Sequence, residues 1–332
     1  MTEQTVVALR AVVDHVAHVG GLEMTISKKM LLAAGSAKTA YSNVTIRVNS
    51  SETRDFFLVH SKLLTISSTT LQALQPDDSW QDVALLDTFA YEPNEFWVVR
   101  TQASVSPGIF RLSLTFDGSL TANGLVGFYD SDYIDEANNT RLLATTKFEP
   151  TYARQAFPCF DEPSFKSTFT VTVVRPLLEY IVLSNMPVVN EAVNQPAEGL
   201  AEVTFQESVP MVTYLVCFIV CDFIYIGETL PSGMDFRVYA PRARVDNTEY
   251  ALRQGAQILQ YYEKMFDLPF PLPKSDMAAI PDYVSGATEH WGIITYRETS
   301  IFYNPTKSSE TNKQRVCSVV AHELAHQWFG NL

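Results

Sequence analysis

From Tyr41 onward the apolar residues recur in short runs rich in Val, Ile, Phe and Tyr, separated by polar turn residues. Runs at 44–48, 56–60, 96–101 and 110–116 read as strands, punctuated by turns at Pro76-Asp-Asp, Pro107-Gly and Asp117-Gly. The same texture continues at 169–174, 180–184, 201–205 and 213–226, which predicts an antiparallel β-sandwich of roughly 180 residues. Residues 1–39 differ. Their apolar stretches at 6–19 and 30–34, separated by Gly20-Gly21, place only as helix or a frayed start.

After Gly227 the period changes. A strand at 236–239 precedes a helix at 247–266, with Ala251, Ile258, Leu259, Tyr262 and Met265 at helical spacing. Pro269, Pro271 and Pro273 then force extended chain, an apolar run follows at 277–280, and 285–299 leads to a last helix that starts near Ser308 under a serine cap. Val316, Val319, Val320, Leu324 and Trp328 are its apolar positions. The expected organisation is an atypical segment at 1–39, a β-sandwich at 40–226 and a second domain from 227 to 332.

Composition agrees with this reading and removes some classes. At 332 residues, with 46% hydrophobic and 18% charged residues, the chain has the profile of a globular protein of about two domains. Its 24 Lys and Arg against 37 Asp and Glu give a net charge of −13, which disfavours nucleic acid as a partner. The longest uncharged apolar stretch, 208–221, contains Pro210 and is shorter than the ~18 residues of a membrane-spanning helix. Residues 5–13 are apolar but lack the basic start and cleavage site of a signal peptide. Cys217 and Cys221 would sit ~13 Å apart along a strand and cannot bridge each other there. Asn43, Asn49 and Asn138 open glycosylation sequons, a pattern short enough to arise often by accident.

The chemistry concentrates in the last helix, at His322-Glu323-Leu324-Ala325-His326. Imidazoles four residues apart share one helix face, about 5–6 Å apart at Cβ, which suits two nitrogens converging on one zinc ion. This pattern is expected by chance roughly 0.006 times in a chain of this composition. Two satisfied histidines in a structural helix are the alternative, but burying them with Glu323 in so apolar a helix is costly without a metal partner. A zinc-bound water with Glu323 as general base points to peptide hydrolysis. A catalytic zinc usually takes three protein ligands, and only six residues follow His326.

A second segment, Gly286-Ala287-Thr288-Glu289-His290-Trp291-Gly292, suits an exposed strand edge that pairs with an extended peptide, ended by a carboxylate that binds a free α-ammonium. Alone it reads better as a glycine-bounded turn with an ordinary exposed glutamate. Its place before the zinc helix favours an exopeptidase acting on peptides with a free N-terminus.

These two segments, with Phe-Glu-Pro-Thr-Tyr-Ala-Arg-Gln-Ala-Phe-Pro-Cys-Phe-Asp-Glu-Pro at 148–163, Tyr-Ala-Pro-Arg-Ala-Arg at 239–244 and Asn-Lys-Gln-Arg at 312–315, resemble the zinc aminopeptidase family typified by aminopeptidase N. The resemblance runs from about Tyr41 to Leu332. It implies an α+β architecture: an N-terminal antiparallel β-sandwich followed by the truncated start of a thermolysin-like zinc-peptidase domain. It also implies one Zn2+ held by His322 and His326, Glu323 as general base, and Glu289 as amine anchor with Gly286 and Ala287 along the substrate. The family's third zinc ligand and its catalytic tyrosine would lie beyond Leu332, so the chain is expected to be an N-terminal fragment, inactive by itself. The family and the three sequons together suggest a membrane-anchored or secreted enzyme.

Where the family has Met and Asn, this chain has Thr288 and His290; it has Tyr152 for Asp, and Lys147 for a Gln that helps hold the α-amine. A second ammonium ~4 Å from the substrate's would be repelled by ~4 kcal/mol at an effective dielectric of ~20. Two expectations follow: Lys147 faces the first side-chain pocket and selects acidic N-terminal residues, or it stays by the amine and leaves a catalytically silent peptide-binding protein. The family's epoxide-hydrolase branch resembles Gly-Gly at the start of the amine motif, whereas position 287 is Ala here.

Overall fold

The computed structural model describes residues 19–33, 36–120, 124–177 and 179–332, with side chains from Ser42 onward. These residues form four sheets. The largest has eight strands, in the order Val188–Val193, Leu200–Phe205, Ser167–Pro176, Val19–Ala33, Ser36–Ser50, Gly108–Gly118, Leu64–Leu74 and Trp80–Asp82. Along Ser36–Ser50 the inward residues Val44, Ile46 and Val48 are buried and the alternating Asn43 and Asn49 are exposed, as a half-buried strand requires. Two smaller sheets cover the inner face. One is Arg54–His60, Phe96–Val105 and Leu85–Tyr91; the other is Ile181–Ser184, Phe218–Cys221, Thr140–Lys147 and Gly127–Ile134. Phe57, Val99, Phe110, Leu112, Phe128 and Phe218 meet in the shared core.

Two expectations are corrected. The stretch 30–34, read as helix or frayed start, falls largely in a strand: Val19–Ala33 pairs antiparallel with Ser36–Ser50 and parallel with Ser167–Pro176. Residues 23–28 pair on both sides, and 30–33 continue the strand by pairing with Thr39 back to Ser36, which satisfies backbone groups and outweighs the local pattern. Residues 1–18 lie outside the described residues. The run 213–226, read as one strand, is broken into a 3-10 turn at Thr213–Leu215, the strand Phe218–Cys221, and Ile224–Thr229 in another sheet.

The reason for that unbroken apolar run is its position between two cores. Phe218 and Val220 face the sandwich core, whereas Cys217, Ile219 and Cys221 face Tyr239, Ala278, Ile280 and Ile293 of the last sheet. That sheet orders Ile224–Thr229, Asp235–Ala240, Lys274–Ile280, Ile293–Arg297 and Ala287–Thr288, with Ala287–Thr288 at its edge. The helices Glu249–Phe266 and Glu310–His326 cover its other face through Ala251, Leu259, Val316, Val320 and Leu324. Cys159, Cys217, Cys221 and Cys317 are free thiols. No described helix is long and apolar enough to cross a membrane.

Polar ties complete the contact between sandwich and last sheet. Asn185 Nδ2 donates to the carbonyls of Leu215 and Trp291, both at 2.8 Å, and Asn185 Oδ1 accepts from Cys217 N at 2.8 Å. Lys274 Nζ is buried, donates to Ser184 O at 2.7 Å and Gly292 O at 2.9 Å, and pairs with Asp276 at 2.7 Å. Gly292 sits at φ +83°, where a Cβ would lie 2.4 Å from Asn185 O. Backbone strain and a backbone clash act together at this position. Gly292→Ala is therefore expected to cost more than about 2 kcal/mol, read as a lower urea midpoint; an unchanged midpoint would show that the two layers are not pressed together here.

Candidate metal and amine-binding site

The histidine helix starts at Ser309, whose Oγ accepts from Asn312 N at 3.1 Å, with Glu310 in the first turn as the helix dipole favours. The buried stripe Val316, Val320 and Leu324 fixes its rotation on the sheet, leaving His322 exposed and His326 half-buried on another face. The two Nε2 atoms approach to 3.2 Å. This matches the ~3.3 Å edge of a tetrahedron with zinc–nitrogen bonds of ~2.0–2.1 Å. His326 Nδ1 lies 3.0 Å from the Phe329 carbonyl, which can only accept, so Nδ1 carries the proton and Nε2 keeps its lone pair. The donor set fits a zinc ion. Among the described residues no third His, Cys, Asp or Glu joins the pair.

Glu323 is buried between these imidazoles in sequence, and its Oε2 has no hydrogen-bond partner. Burial first, then the charges of Glu289 and Glu149, push its carboxyl up to about 8 against a smaller opposing effect of Lys147. Glu289 is buried at the end of the edge strand, with its backbone carbonyl accepting from Gln327 Nε2 at 3.2 Å and Asn331 Nδ2 at 2.8 Å. Gln327 and Asn331 are both fully buried. Tyr214 stands beside Glu289; burial, then the negative charges of Glu289 and Glu149, push its phenol up to about 12.

The edge strand explains the unusual residues. Ala287 and Thr288 pair with Tyr296 and Thr295, and the Gly286 carbonyl accepts from Arg297 N at 3.0 Å. Thr288 points inward, where its Oγ1 takes a 2.5 Å hydrogen bond from Tyr283 Oη. His290 is fully buried, and desolvation followed by the Lys147 charge holds its pKa down to about 3, so it is neutral. Lys147 ends the strand Thr140–Lys147, is buried, and donates to Glu149 Oε2 at 2.5 Å. The charges of Glu289, Glu149 and Lys147 thus all act on Glu323, which lies in the chain between the paired His322 and His326. Tyr214, Glu149, Gln327 and Asn331 have no role in the sequence reading. For Tyr214, inside an apolar run, there was no signal; for Gln327 and Asn331 the signal was two carboxamides on the far side of an otherwise apolar helix end.

The 148–163 segment supports this group from behind. Arg154 Nε donates to Asp161 Oδ2 at 2.8 Å, Arg154 Nη1 to Glu95 Oε2 at 3.0 Å, and Thr213 Oγ1 to Asp161 Oδ1 at 2.6 Å. Asp161 N donates to His60 Nδ1 at 3.2 Å, and burial followed by the Arg154 charge lowers the His60 pKa to about 4. The network holds Thr213, and with it the adjacent Tyr214.

The Peptidase M1 N-terminal domain profile matches residues 22–215, and the Peptidase family M1 domain profile matches residues 250–332. Endoplasmic reticulum aminopeptidase 2 of Homo sapiens is 42% identical over 288 residues, which are 86% of this chain and 30% of that protein. Glutamyl aminopeptidase of Sus scrofa is 43% identical over 258 residues, 76% of this chain and 27% of its own. Aminopeptidase N of Bos taurus is 41% identical over 294 residues, 87% of this chain and 30% of its own. The chain spans about three-tenths of the length of such relatives.

The raised Glu323 pKa has a signed consequence for stability. The folded state holds a proton that the unfolded chain releases near pH ~4.5, so stability falls as pH rises from there to about 8 and levels off beyond. In chelator, the melting temperature of Glu323→Gln is expected to match wild type near pH 5 and exceed it by several degrees near pH 9. A difference that is flat with pH would contradict the buried, unpaired carboxyl.

Proposed function

This chain belongs to the peptidase M1 family, and from that premise we propose that it carries the metal-binding and amine-anchoring part of a zinc-dependent aminopeptidase. The observation that carries this reading is the convergence of the His322 and His326 Nε2 atoms beside the buried, unpaired Glu323 carboxyl. Nε2 of each histidine would hold one Zn2+, which when bound supplies an acidified water and a polarised substrate carbonyl. Glu323 is the group that would take a proton from the bound water and return it to the leaving amine. Glu289 anchors the substrate's α-ammonium. The free edge of Ala287–Thr288 offers backbone groups to an extended peptide, and the small residues Gly286 and Ala287 keep that edge open.

Lys147 does not oppose this assignment. Its ammonium is paired with Glu149 at 2.5 Å, which leaves the Glu289 carboxyl for a substrate amine. We assign Lys147 to the first side-chain pocket, where it inclines the site toward acidic N-terminal residues; similarity to the glutamyl aminopeptidase of Sus scrofa accords with that. The domain division near residue 227 is likewise our proposal, supported by the start of the last sheet at Ile224. A second reading is a catalytically silent peptide-binding protein on the same fold, with Lys147 beside the substrate amine; the buried Lys147 charge acting on Glu323 favours it.

Calorimetric titration with zinc is expected to give one ion per chain, lost in His322→Ala and in His326→Ala, with no hydrolysis of amino-acid arylamides by the chain by itself. No zinc uptake would overturn the metal assignment, and turnover would overturn the second reading. As a separate check, the α-amide of glutamic acid is expected to bind more tightly than leucinamide, with the preference lost in Lys147→Gln. Tighter binding of leucinamide would remove the pocket assignment.

A further inference from the structure

We infer that the turn at residues 329–331 is a positioning element that aligns the two halves of the site, the imidazole of His326 and the backbone of Glu289. The turn reaches both from one short piece of chain. Its Phe329 carbonyl accepts from His326 Nδ1 at 3.0 Å, and Asn331 Nδ2 donates to Glu289 O at 2.8 Å. Asn331 N closes the loop onto the helix by donating to His326 O at 3.2 Å.

Gly330 makes this geometry possible. It sits at φ +122°, a conformation open to glycine and strained for any residue with a Cβ. The turn directs a backbone carbonyl back at the ring while the next side chain points inward to the edge strand. Asn331 is fully buried, and the Nδ2 bond to Glu289 O is the side-chain hydrogen bond that holds it, its Oδ1 having no partner. From the β-sandwich side, Lys166 Nζ donates to Asn331 O at 3.3 Å and braces the turn from outside. A carbonyl on the non-coordinating nitrogen fixes which ring nitrogen is free for a metal, and such partners typically affect metal affinity about 10–100-fold.

The inference rests on the assignment of His326 as a metal ligand and Glu289 as amine anchor, and the experiment separates the two. In metal-free full-length chain with nitrogen-15 labelled histidine, long-range proton–nitrogen correlation at neutral pH is expected to show His326 in the Nδ1–H form alone. Gly330→Ala is expected to give a mixture of tautomers and about tenfold weaker zinc binding, with the buried His60 and His290 signals unchanged as a control on folding. Lys166→Ala, which removes only an exposed brace, shifts the same His326 signals to a smaller extent. Asn331→Ala leaves the tautomer in place and weakens leucinamide binding about fivefold. An Nε2–H form in the wild type, or a Gly330→Ala spectrum identical to it, overturns the inference. Loss of the Nδ1–H form in Gly330→Ala in a protein that takes up no zinc would uphold the turn's hold on the ring and refute the metal assignment alone.

Discussion

The main chain at residues 289–292 is gripped from two sides. The Glu289 carbonyl takes hydrogen bonds from Gln327 and Asn331 at the end of the histidine helix, and the Gly292 carbonyl takes them from Lys274 and Asp276 in the sheet. Asn185 of the β-sandwich holds the Trp291 carbonyl between them. Each of these buried acceptors would cost about 1–3 kcal/mol if left unpaired. The segment is therefore held in one position relative to the end of the histidine helix. Shift the helix end, and Glu289 shifts with it.

The β-sandwich is part of the site for the same reason. Its sheet of Phe218–Cys221 and Thr140–Lys147 is buried on both faces, so it cannot separate from the last sheet without exposing Ile219, Leu183 and Ile293 together. From that sheet come Lys147 and Glu149, and from the turn before it comes Tyr214, braced through Thr213 by the buried Arg154–Asp161 pair. A buried ion pair is expensive to desolvate and costly to break by halves, which makes Arg154 and Asp161 a rigid backing for the segment whose start carries Glu149. At the front, the Lys147 ammonium is offset by Glu149.

Much of this was legible in the residues themselves. The two-residue period of 44–48 and 110–116 predicted strands whose inner faces form the core, and the four-residue spacing of His322 and His326 predicted converging nitrogens. Other parts had no local signal. Leu64–Leu74 is rich in Ser and Thr and has one buried residue, Leu71, so its place in the large sheet comes from pairing with Gly108–Gly118. The strand Val19–Ala33 is likewise defined by its two neighbours. Thr288 and His290 looked like changes to the amine site because a linear motif does not say which side chains alternate inward; the strand geometry puts both in the interior. The Lys147–Glu149 pair is two residues long in sequence, yet only the bend after Thr140–Lys147 brings the groups together.

The central claim is that two imidazoles of this chain form part of a zinc site whose geometry is already set. X-ray absorption at the zinc edge on the loaded chain measures it directly. The account predicts two imidazole nitrogens at ~2.0–2.1 Å with the remaining positions filled by oxygen, and loss of one imidazole in His326→Ala. A spectrum with oxygen ligands alone, or one unchanged by that substitution, would contradict it.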